Sequence, residues 1–127
     1  MADLLQDLLD YIDTADLSLG VTYFKDFIPD TPANVLSVIE YAGLPGGTGI
    51  DAQVRSVQVN VRNEDYSTAR AGINAIYALM QQVDPILQLT IDRWVICSPR
   101  QTPFLSNRDV KGRVTFTFNV GFTTYSD

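Results

Sequence analysis

The sequence predicts an α+β fold, a two-layer sandwich in which two helices pack on one face of a mostly antiparallel sheet of about five strands. Three observations carry this. Leu4, Leu5, Leu8, Leu9 and Ile12 recur at helical spacing, as do Tyr66, Ala69, Ile73, Ile76, Tyr77 and Met80. Val57, Val59 and Val61 alternate with polar residues, and so do Val114, Phe116, Phe118, Val120 and Phe122, which is the period of a strand with one buried face. Strands that follow one another without an intervening helix favour antiparallel pairing. A chain of 127 residues is sized for a single domain, 1–127, with a core that needs no disulfide staples.

The elements follow in order. The first helix starts after Asp3, a candidate N-cap, with Asp7, Asp10 and Asp13 expected on its solvent side. A short strand, 21–24, precedes a turn marked by Pro29 and Pro32, and 34–42 forms a second, apolar strand. The segment 43–50 holds four glycines, but no Lys-Ser/Thr follows the last of them and no helix comes after, so it lacks the phosphate-loop mechanism. It is expected to be a mobile loop reaching a partner, with Gly46 and Gly47 as candidate contacts. The third strand, 53–62, leads through Asn63 or Asp65, either able to cap, into the second helix, which Asp84-Pro85 ends. Residues 87–97 read as one strand with a bulge or strong bend where the apolar parity shifts between Ile91 and Trp94. Residues 98–112 read as a second mobile loop, expected to order on assembly, before the last strand, 114–122.

Composition narrows function. The chain has no histidine and one cysteine, which excludes a Ser-His-Asp triad, a Cys-His pair, any histidine-bearing zinc site and an intrachain disulfide. Cys97 reads as a small buried apolar residue. No cofactor or metal site and no catalytic residues are assigned. A carboxylate pair such as Asp92 with Asp109 is chemically possible, but its spacing does not set it apart from surface charge. The apolar runs fall far short of a membrane span, and the acidic N-terminal stretch does not have the pattern of a signal peptide. The formal net charge is −6, unevenly placed: residues 1–51 carry nine acids and one base, residues 52–127 eight bases and six acids. An acidic chain is a poor sequence-specific nucleic-acid binder, whereas two unlike halves suit a contact with another copy of the same chain.

Two stretches carry a family resemblance. The strand and helix VQVNVRNEDYSTARAGINAIYALM, with Val59, Val61, Arg62, Ala69 and Ile76, form the first. The second is PFLSNRDVKGRVTFTFNVGF, with Pro103, Leu105, Asp109, Gly112, Arg113, Phe116 and Asn119. Together, over roughly 35–122, the chain resembles the tail terminator and minor capsid proteins of long-tailed bacteriophages. The resemblance implies a non-catalytic virion protein, made in the bacterial host cytoplasm. It implies a six-fold ring that caps the tail tube, stops its growth and joins the head, with itself, the tube protein and a head-completion protein as partners. Other head-tail connectors, or a small adaptor that binds a peptide along a sheet edge, are the alternatives. A closed ring needs two unlike patches. The candidates are Arg62, Arg100, Arg108 and Arg113 on one side and Asp10, Asp13 and Asp16 on the other, because arginine pairs bidentately with carboxylates.

Overall fold

The computed structural model describes residues 4–15, 17, 19–44, 52–81, 86–90 and 93–125. Two helices, α1 (Leu4–Thr14) and α2 (Tyr66–Met80), accompany seven strands: β1 (Thr22–Lys25), β2 (Val35–Leu44), β3 (Ala52–Asn63), β4 (Ile86–Thr90), β5 (Arg93–Pro99), β6 (Phe104–Arg108) and β7 (Val114–Tyr125). They form one sheet in the order β1-β2-β3-β7-β5-β4, with β6 also paired to β7. All pairs are antiparallel except β1 with β2, which run parallel. The two-layer α+β reading holds, with more strands than the alternation in the sequence indicates.

The centre of the sheet is the β3–β7 pair, in unbroken register from Ala52 opposite Tyr125 to Asn63 opposite Val114. Opposed residues share a face. Val57, Val59 and Val61 therefore lie beside Val120, Phe118 and Phe116, and all six are at most 2% exposed. Leu36 and Val38 extend this face onto β2, and Val95 and Cys97 extend it onto β5. The helices close it with Leu4, Leu8 and Ile12 from α1 and Ala69, Ile73, Ile76 and Met80 from α2, in one continuous apolar cluster. Tyr77 sets its ring edge-on to Phe118 at 5.3 Å, and Tyr66 does the same to Phe116 at 5.2 Å. These contacts stabilise the pair beyond the area they bury.

Local chemistry fixes the ends. Asp65 is the N-cap of α2: its carboxylate accepts from the Thr68 N–H at 2.8 Å and from Thr68 Oγ1 at 2.6 Å. Asn63 instead holds the Asp65 N–H at 2.9 Å. The helix finishes at Met80, with the Gln81 N–H on the Tyr77 carbonyl. The expected cap Asp3 and the expected stop Asp84-Pro85 lie outside the described residues.

Three expectations are corrected. Residues 87–97 are not one bulged or bent strand but two, β4 and β5, paired antiparallel with Thr90 opposite Arg93. The segment 98–112 is not all loop. β5 pairs with β7 at 120–123, the Arg100 N–H bonds the Asn119 carbonyl at 2.9 Å, and β6 resumes pairing at 114–117. Both strands thus occupy the same edge of β7. Asp7 is not on the solvent side: it borders the α1 stripe beside Leu4 and is 4% exposed. The glycine-rich segment of 45–51, with Gly46 and Gly47, lies outside the described residues.

Candidate assembly surface

The pleat that sends valines and phenylalanines to the core sends Asn60, Arg62, Thr115 and Thr117 to the opposite face. All four are at most 7% exposed. Ser106 of β6 meets Thr117, hydroxyl to hydroxyl, at 2.7 Å, and Arg62 lies under the segment joining the parallel pair β1 and β2. That segment, residues 26–34, turns at Asp26, whose φ of 69° is left-handed, and returns across the second face as a strap. Ser37 Oγ donates to the Phe27 carbonyl at 2.6 Å. Thr117 Oγ1 donates to Asn60 Oδ1 at 2.7 Å beneath.

The strap contains two prolines and makes no ladder of its own, so its carbonyls need donors from elsewhere. Arg62 supplies them. Its Nη2 donates to the carbonyls of Pro29 (2.6 Å), Pro32 (2.8 Å) and Asp30 (3.2 Å), and its Nε donates to Ala33 at 3.1 Å. Arg113 holds the same strap from β7. Its Nη1 donates to the Asp30 carbonyl at 2.6 Å, its Nη2 to Asp30 Oδ1 at 2.9 Å, and its Nε to Asp109 Oδ2 at 2.7 Å. Asp109 also builds the β6–β7 turn, accepting the Lys111 and Arg113 N–H groups at 3.0 Å, while Lys111 Nζ reaches Asp30 Oδ2 at 2.7 Å. The planar guanidinium fork makes several such bonds at once, which an ammonium cannot.

The cluster shifts its own titration. The Lys111 ammonium, then Arg113, hold the Asp30 carboxyl down to about 2. Arg113 lowers Asp109, and the two carboxylates in turn raise Arg113. Burial lowers Arg62, with a further push from Arg113. A carboxyl whose folded value lies below its unfolded one stabilises the fold above the unfolded value. That contribution is lost as pH falls through the folded value. The stability that Asp30 contributes to the strap is therefore expected to be complete from neutral pH down to about 4 and to be lost as pH falls to about 2. Unfolding followed against pH checks this. Asp30→Asn should be less stable than the parent at neutral pH and should converge with it toward pH 2; a constant gap would overturn the assignment.

The candidate arginines therefore divide. Arg62 and Arg113, each 7% exposed, are committed inside the chain, because strap carbonyls and carboxylates surround them. They do not present open charge to a neighbour. Arg100 and Arg108 are exposed and make no side-chain hydrogen bond or ion pair among the described residues; Arg100 lies across Gly121 on the second face. Asp10 and Asp13 are exposed on α1, Asp10 accepting from Gln6 Nε2 at 3.0 Å. Asp16 and Asp92 lie outside the described residues. Asp109 serves the β6–β7 turn, which removes it from the carboxylate pair considered above.

Several surface features have no signal in composition. Phe27 and Ile28 on the strap are 55% and 37% exposed, Phe104 and Leu105 on β6 are 40% and 43% exposed, and Val110 at the turn is wholly exposed. An open groove of about 540 Å³ runs between α1 and β1, lined by Leu9, Asp10, Asp13, Phe24, Lys25 and Phe27. Beyond the strap the second face lies open, with a shallow hollow of about 290 Å³ between Ile39, Tyr41, Gln58 and Asn119. Cys97 is 3% exposed and burial pushes its thiol up to about 12, so it is inert. Among the described residues, no three His, Cys, Asp or Glu side chains gather as metal ligands, and no helix is long and apolar enough to cross a membrane.

Exposed apolar side chains at sheet edges and open grooves define a small α+β subunit that works as one piece of a larger assembly. A model of the family described as bacteriophage tail terminator protein matches residues 4–125. The chain belongs to that family and is a phage tail structural protein of the virion. Among solved structures it is similar to a chain from the virion of a native gene transfer agent particle. That match has a TM-score of 0.68 at 11% identity and covers 97% of this chain and 95% of the other, so it shows a shared fold. No curated protein matches in sequence.

Proposed function

We propose that the protein caps the tail tube as a homomeric six-fold ring, ends tube growth and forms part of the surface that joins the tail to the head. The family match over nearly the whole chain is the observation that carries this reading. The role is mechanical rather than catalytic. A ring demands a head-to-tail contact between unlike patches. The exposed pairs Asp10 with Asp13 and Arg100 with Arg108 are suited to supply its electrostatic part, and Arg62 and Arg113 support it by holding the strap in place. Asp16, Gly46 and Gly47 remain proposed contacts of the same interface. The further partners are the tube protein and a head-completion protein, and the acidic net charge of −6 suits a channel through which DNA passes without being gripped.

Purified protein mixed with tail tubes tests this by electron microscopy and native mass. The expected result is density at one tube end only and an assembled mass that is a whole multiple of 14.1 kDa. Tubes of normal, uniform length in cells without the protein would overturn it.

A further inference from the structure

We propose that the β6–β7 turn of one copy seats Val110 in the α1/β1 groove of the next copy, with Arg108 against Asp10 and Asp13; this rests on the ring reading above and names its contact. Val110 is the starting observation. A turn tip is normally Gly, Asn, Asp or Ser, yet here a β-branched apolar side chain stands wholly in solvent. It is held rigidly. Asp109 fastens the turn from within, and Arg113 and Lys111 tie its base to Asp30.

The groove is the complement. Leu9 and Phe24 line it, Phe27 contributes a half-exposed ring, and Phe24 and Phe27 meet edge-on at 5.5 Å. Its volume of about 540 Å³ accommodates a valine and the turn around it. Asp10 and Asp13 lie on its α1 wall with Lys25 on the strand opposite, so one further cation, Arg108, balances the site. The two features lie at opposite ends of the strand order, β1 on one edge and β6 beyond β7 on the other. The turn touches its own strap at Asp30, yet Val110 stays wholly exposed, so a chain's own turn does not fill its own groove. Two unlike patches make a heterologous contact, the kind that propagates from copy to copy and closes into a ring.

Cysteine pairing tests this, because the native Cys97 is buried and inert. Val110→Cys and Phe27→Cys are made separately, checked by circular dichroism, and mixed with tail tubes under mild oxidation. A disulfide-linked dimer that needs both variants is expected. If Phe27→Cys does not fold, Asp13→Cys takes its place on the other wall. In parallel, Arg108→Glu should raise the concentration at which half the protein assembles by about tenfold, with Asp13→Arg in the same chain restoring it. Normal assembly without the mixed cross-link, or without rescue, overturns this contact and leaves the ring standing. A protein that never assembles on tubes overturns both.

Discussion

Phe118→Ala is expected to lower the unfolding free energy by about 3–5 kcal/mol, the usual loss for a phenylalanine removed from a packed core. Phe118 is 0% exposed, opposite Val59 on the central strand pair, with the Tyr77 ring edge-on at 5.3 Å. Truncation removes the ring from beneath α2 and strips Tyr77 of its aromatic partner, and neither β3 nor β7 can shift to close the hole without breaking a twelve-residue register. Against a typical total of about 5–15 kcal/mol, about a fifth or more of the stability goes with one side chain. Urea unfolding measures it. A loss below about 1 kcal/mol would mean that the site collapses freely and that the central pair is not the core.

Arg62→Ala is expected to cost about 3 kcal/mol, because hydrogen bonds from a charged donor are each stronger than neutral ones and the abandoned carbonyls stay covered. The carbonyls of Pro29, Pro32 and Ala33 lose their donor together, while that of Asp30 keeps Arg113. The measurement is again the unfolding midpoint, with hydrogen exchange at the Asp26 amide, bonded to the Val38 carbonyl at 2.8 Å, reporting the strap itself. Arg62→Lys should recover little, since an ammonium cannot span four carbonyls. Full recovery by lysine would show that charge rather than the fork holds the strap.

The central strands and both helices are legible in the sequence because each has one wet and one dry side, and that difference leaves a period. What the sequence hides are structures without such a difference. β6 is exposed at every position, so its residues carry no alternation; only backbone pairing with β7 makes it a strand. The break between β4 and β5 shifts apolar parity just as a bulge does. Arg62 and Arg113 read as surface charge because their partners are distant in the chain, 29–33 residues away for Arg62 and 83 for Asp30 with Arg113. Most partners of Arg62 are backbone carbonyls, which no residue type advertises. Arg100, Arg108, Asp10 and Asp13 read as exposed charge and are exposed. The apolar groove arises only when β1 is laid parallel to β2, which no local pattern specifies.

The position of β7 sets when this protein can exist as a usable part. Residues 114–125 border β3 along one edge and β5 and β6 along the other, and the outermost register joins Ala52 to Tyr125. While the ribosome is still making the chain, β3 has no second neighbour and the hydrogen-bonding edges of three strands stay open. Contacts this distant in sequence form slowly. No copy carries its β6–β7 turn and its finished sheet until synthesis has passed Tyr125. Nascent chains crowded on one message therefore offer no finished surface to one another before that point.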